Sequence, residues 1–188
     1  MTAQPKDLLL LVADADIEQT MRGLLENPMR LGIRSVSHEI KRHPERDAGC
    51  ARHSVEYLRL FHRQFHPALV MFDHEGSGRE SESREELEAS MEAEFARNGW
   101  KERSVRVIAL EPEIEAWVWS PSPHVADVLG WSDWEDLRQW LVEQDLSASL
   151  FKKLAHRVSH RSCRDAAFAK LRSVLRGWFG AVGTSGTG

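Results

Sequence analysis

Leu8-Leu9-Leu10-Leu11-Val12-Ala13-Asp14-Ala15-Asp16 decides the fold: an unbroken apolar run that ends in acids. With no polar alternation, such a run reads as a strand covered on both faces, the condition of a parallel sheet. Asp16 is the expected N-cap of a helix running to about Leu25, because Met21, Leu24 and Leu25 follow at helical spacing. Asn27-Pro28 breaks it. The same signature returns twice. Ala68 to Phe72 is apolar and stops at Asp73-His74-Glu75, and Val105 to Leu110 stops at Glu111-Pro112, where proline opens a helix.

Between these runs, Ser35 to Ile40 alternates as a strand, with Val36, His38 and Ile40 on one side. Arg42 to Gly49 reads as a polar loop. His53 to Phe65 carries Val55, Leu58, Phe61 and Phe65 at helical spacing. Gly76 to Ser83 is polar, and the helix after it has Leu87, Met91 and Phe95 as its stripe and Asn98-Gly99 as its stop. Four β-α alternations predict an α/β fold, a mostly parallel four-stranded sheet with helices on both faces. From Ser122 onward the pattern is helical only: 124–129, 134–142, 150–158 and 165–179. The expected organisation is an α/β core over 1–120, a helical extension over 121–180 packed on it, and a disordered tail at 181–188.

A hydrophobic fraction of 41% and a charged fraction of 29% exclude a disordered chain. No apolar run approaches the roughly 20 residues a bilayer requires. The residues before Leu8 lack a basic region with a cleavage site, so secretion is not expected, and with no apolar span neither is a membrane partner. Cys50 and Cys163 make no disulfide framework, which fits a cytoplasmic location. The charge is unevenly spread. Lys152, Lys153, Arg157, Arg161, Arg164, Lys170, Arg172 and Arg176 stand against Asp165 alone between 150 and 179. Arg157, Arg161 and Arg164 would form a side able to follow a nucleic-acid backbone without reading its sequence.

In a parallel α/β sheet, ligands sit beyond the carboxyl ends of the strands. That edge collects acids here: Asp14 and Asp16 from the first strand, Asp73 and Glu75 from the third, and Glu111, Glu113 and Glu115 from the fourth. If the third strand stays extended, Asp73 and Glu75 point the same way and can share a cation. Mg²⁺, or Mn²⁺ in its place, is held by one or two carboxylates plus water and substrate phosphates. Any single acid is explained as readily by helix capping, for which Asp16 and Glu113 are well placed. Convergence from three strands favours a metal site. Arg79 and Arg84, just after the acidic motif, would hold a phosphate beside it. His156, His160 and Cys163 with Cys50 and His53 match no common zinc spacing and read as surface residues. His74 either turns into the sheet or serves as a base. The tryptophans Trp117, Trp134 and Trp140 read as core.

Asp14-Ala15-Asp16, Phe72-Asp73-His74-Glu75-Gly76 and Glu111-Pro112-Glu113-Ile114-Glu115-Ala116-Trp117 together resemble the successive motifs of Toprim-like proteins. The resemblance spans roughly 8–120 and is closest to a small branch from bacterial phage-defence loci, including methylation-associated defence systems. It implies a Toprim-like fold and a Mg²⁺ site for nucleic-acid cleavage or another phosphoryl transfer. Asp14, Asp16, Asp73 and Glu75 would be the metal ligands, and Glu113 and Glu115 would be the catalytic acids. Two positions depart from the pattern. Aspartates stand where the family usually has a glutamate after the first strand, and Asp73-His74-Glu75 replaces Asp-x-Asp. Tyr57, the only tyrosine, lies on the apolar helix, so a topoisomerase nucleophile is not expected. The alternative is an inactive Toprim-like module that docks on partner defence proteins or DNA. A response-regulator-like domain fits the paired acids but lacks a lysine after the later strands.

Overall fold

Every residue of Leu8–Val12 is fully buried, and so is every residue from Ala68 to Phe72. Strands without a polar face must be covered twice. The computed structural model describes residues 6–65, 67–111, 114, 117, 148–157, 163 and 165–180. In chain order these give β1 (Leu8–Val12), α1 (Ala15–Leu25), α2 (Pro28–Leu31), β2 (His38–Arg42), α3 (Arg46–Leu58), β3 (Ala68–Asp73), α4 (Arg84–Arg97), β4 (Val105–Leu110), α5 (Ala148–Arg157) and α6 (Ala166–Phe179). The strands form one parallel sheet in the order β2-β1-β3-β4. Right-handed crossovers then put α1 on one face and α3 and α4 on the other. This is the expected α/β architecture, with a C-terminal helical extension.

Chain order reverses between β1 and β3, because β1 leads outward to β2 while the chain returns past it to β3. That reversal opens a crevice at their carboxyl ends. The acids of β1 and β3 therefore belong to adjacent strands.

One element differs from expectation in a way that matters for the site. The helix expected over 53–65 is α3, Arg46–Leu58, and the second half of the supposed polar loop 42–49 is its first turn. Its buried face is Gly49, Cys50, Ala51, Ser54 and Leu58, residues too small or too polar to mark a hydrophobic stripe. Val55 and Phe61 only pack against the margin of the core. Likewise β2 lies at 38–42 rather than 35–40.

The extension is fastened to the core at several places. Asp165 caps α6 by accepting from the Phe168 N–H at 2.7 Å, and it also accepts from Trp117 Nε1 at 2.7 Å. Trp117, expected as core, is 1% exposed and lies edge-on to Phe168. On the other side α5 runs against α1. Arg30 donates to the carbonyls of His156 and Arg157 at the end of α5, and Lys152 pairs with Glu26 at 2.5 Å. The helices approach closely where α1 has Gly23. A methyl there would run into the Lys152 carbonyl oxygen and stand 2.9 Å from Ala155 Cβ. Gly→Ala inside a helix ordinarily gains up to about 1 kcal/mol. Here Gly23→Ala should instead destabilise by about 1–3 kcal/mol through overpacking, read as a lower urea midpoint at unchanged m-value.

The outer edge of β4 is sealed by side chains. Glu88 and Glu92, one turn apart on α4, accept from the backbone N–H groups of Ala109 (2.9 Å) and Val107 (3.1 Å). Lys170 of α6 donates to both acids at 2.9 Å, Arg84 pairs with Glu88 at 3.2 Å, and Arg106 pairs with Glu92. Carboxylates thus replace the neighbouring strand that an edge lacks, and the bases neutralise them.

Candidate functional site

The site begins with the chain leaving β1. Asp14, not Asp16, is the N-cap of α1: its Oδ1 accepts from the N–H groups of Asp16 (3.0 Å) and Ile17 (2.9 Å). Asp16 lies inside the first helical turn. Asp14 is half-buried, and its second carboxylate oxygen is not needed for the cap.

At the end of β3, Asp73 is half-buried and its N–H donates to Asp47 Oδ1 at 2.9 Å. Asp47 was not among the residues singled out from the sequence. It sits in the first turn of α3, which carries it over the end of β3. Burial raises its carboxyl above the ordinary aspartate value, and the negative charge of Asp14 raises it further. The Asp73 N–H and the Arg46 charge act the other way. Neither Asp14 nor Asp47 forms an ion pair with a Lys or Arg among the described residues. Three aspartates from β1, α3 and β3 thus crowd the switch point. Asp14 and Asp47 raise the Cys50 thiol too, after the larger effect of its burial.

Glu75 behaves differently from expectation. The strand stops at Asp73, His74 bends, and Gly76 takes φ +82°, so Glu75 sits exposed in a tight turn and alternation no longer aligns it with Asp73. The turn is held to α3 by Asp47 and by Arg52, whose guanidinium donates to the Gly78 carbonyl at 2.7 Å. His74 Nε2 is buried without a hydrogen bond among the described residues, and the ring lies near Glu80 and Glu82.

The two arginines expected to hold phosphate are engaged elsewhere. Arg79 forms a two-pronged pair with Glu82, at 2.7 Å on each prong, and donates to Ser90 Oγ at 2.9 Å. Arg84 is 9% exposed and belongs to the Glu88 network at β4. The bases that do border the acids are Arg42 and Arg46. With Ala13, Asp14, His43 and Pro44 they line a cleft of about 430 Å³ at the ends of β1 and β2. Arg46 is exposed and holds φ +51°, a left-handed conformation that costs a non-glycine residue of order 1 kcal/mol. His43 forms the cleft wall. Its Nδ1 accepts from the Glu45 N–H at 3.1 Å, which fixes the neutral tautomer with the proton on Nε2, and burial lowers its pKa.

Arg157 is exposed on α5, beside a groove of about 610 Å³ that Lys152, Lys153 and His156 also line. Arg161, Arg164, Glu113 and Glu115 lie outside the described residues. Among the described residues, no three His, Cys, Asp or Glu side chains are close enough to form the shell of an ion. A zinc-type centre is therefore not supplied by them. A Mg²⁺-type centre fits the aspartates, since that ion needs one or two carboxylates and takes its remaining ligands from water and phosphate.

Fold and site together define a parallel α/β protein with an aspartate cluster at its β1/β3 switch point. No family model, no curated protein and no solved structure matches the chain.

Proposed function

We propose that the chain is a Mg²⁺-dependent phosphoryl-transfer protein, a nuclease of the Toprim-like kind its motifs resemble, acting in the cytoplasm in bacterial antiphage defence. The observation that carries this reading is Asp47. A half-buried carboxylate, held over the end of β3 by the Asp73 N–H and facing the charge of Asp14 with no paired base among the described residues, is costly unless a cation joins it. One or two of Asp14, Asp47 and Asp73 would hold the ion, with water and phosphate as its remaining ligands; such an ion would neutralise a phosphoryl group and acidify an attacking water. Arg46 takes the phosphate-holding role expected of Arg79 and Arg84, with Arg42, which pairs with Glu18 at 3.2 Å, beside it on the cleft. Glu113 and Glu115 remain the proposed catalytic acids, and Arg157, Arg161 and Arg164 the proposed backbone contacts. No helix among the described residues is long and apolar enough to cross a membrane.

Internal pairing of Arg79 and Arg84 favours a second reading, the inactive module that docks on partner proteins or DNA. Titration calorimetry with Mg²⁺ and Mn²⁺, run beside cleavage assays on single- and double-stranded DNA and RNA, separates the two. The parent protein should bind one ion, and Asp73→Ala should weaken binding at least about tenfold, or about 1.4 kcal/mol. Binding without cleavage of any of these substrates would select the module. No binding by the parent would end the metal reading.

A further inference from the structure

The two edges of the sheet are treated unequally. The β4 edge is sealed by Glu88 and Glu92, whereas β2 is the opposite edge and has no such cover among the described residues. Backbone direction alternates along β2. The Ser37 carbonyl accepts from Leu8 and the His43 N–H donates to Val12, so odd-numbered residues face β1 and His38, Ile40 and Arg42 face outward. No described group hydrogen-bonds to the N–H of those three residues. The unused ladder groups of these three residues form a template on which a partner strand can pair.

The sequence of that strand, His38-Glu39-Ile40-Lys41-Arg42, selects the partner. We propose that β2 pairs antiparallel with β2 of a second copy about a two-fold axis through Ile40, joining the two sheets into one. With the even residues facing out, the hydrogen-bonded pairs must be even with even: Ile40 with Ile40, and His38 with Arg42, in both directions. Glu39 then lies opposite Lys41 of the other copy in the non-hydrogen-bonded positions, where side chains approach most closely. The neighbouring allowed registers are rejected by charge. A shift one way sets Glu39 against Glu39, and a shift the other way sets Lys41 against Lys41. Only the register centred on Ile40 pairs all five residues and alternates the charges. Within one chain Lys41 already bonds Glu39 at 2.7 Å and lies 4.8 Å from the Phe61 ring, so both side chains are held on the same face of the strand. Across the axis these would form a square of four charges whose sign alternates around its perimeter. Pro44, just past the strand, stops the pairing there.

Sedimentation velocity over a concentration series tests the pairing on the full chain. The parent should sediment as a monomer–dimer equilibrium. Glu39→Lys and Lys41→Glu, each placing like charges across the axis, should each weaken it by about tenfold or more. Mixing these two variants should restore a heterodimer, because the first carries lysine at both positions and the second carries glutamate at both. Circular dichroism on each variant confirms that its fold is intact. A monomeric parent, single variants that dimerise as tightly as the parent, or a mixture that fails to recover would each overturn the proposal.

Discussion

Glu88→Ala should destabilise the chain by about 3–5 kcal/mol, a larger loss than the helix-surface position of Glu88 would suggest. Glu88 is 3% exposed and performs three tasks: it accepts from the Ala109 N–H, pairs with Arg84, and shares Lys170 with Glu92. Alanine leaves Arg84, itself nearly buried, without that partner, and leaves the N–H of an edge strand dry and unbonded. Glu88→Gln separates these causes. The amide keeps an acceptor for Ala109 but removes the charge, so it should lose roughly half as much. Guanidinium unfolding of both variants measures the difference, and near-equal losses would show that charge contributes little. Because β4 loses its seal, Glu88→Ala should also aggregate during refolding more than Gly23→Ala does, despite both being core-facing changes.

Asp47→Asn should do the opposite, making the chain more stable and the proposed site unable to bind. Asparagine keeps the oxygen that accepts from Asp73 N–H and removes a half-buried negative charge beside Asp14. A gain of about 1 kcal/mol, or about 2–4 °C in Tm, is the usual size when a functional group of this kind is neutralised. The pH dependence fixes the cause. Burial raises the folded-state pKa of Asp47 above 3.8, so between these values the folded chain holds the proton more tightly than the unfolded chain. The parent therefore loses stability as pH rises through that window. The gain from Asn should be absent in acid, where Asp47 is already neutral, and complete at neutral pH. Saturating Mg²⁺ should raise the Tm of the parent but not of Asp47→Asn. A Tm gain in acid equal to that at neutral pH would exclude relief of charge as its origin.

The parts of this fold legible in the sequence are those whose physics leaves a one-dimensional trace. Leu8–Val12 and Ala68–Phe72 are buried on both sides and so are apolar without interruption, and Val105–Leu110 differs only at Arg106. The first half of α3 leaves no such trace, because it approaches the sheet through Gly49, Cys50 and Ala51, where closeness rather than hydrophobicity makes the packing. Starting that helix at 53 instead of 46 hid Asp47. Arg79 and Arg84 misled for a related reason. Their partners stand three and four residues along, Glu82 and Glu88, a spacing that signals an internal pair as readily as it leaves an arginine for phosphate. The acids at 14 and 73 were readable because strand ends and sheet order together determine where they go. Glu75 was not, since Gly76 turns the chain before alternation can aim it.

The seal on β4 has a consequence for assembly size. A parallel sheet with two open edges is bifunctional in the polymer chemist's sense and can add copies without limit. Glu88, Glu92 and Lys170 act as an end-capping group on one side. Among the described residues the sheet is thereby monofunctional, so that growth by strand addition at the proposed β2 edge would terminate after a single step.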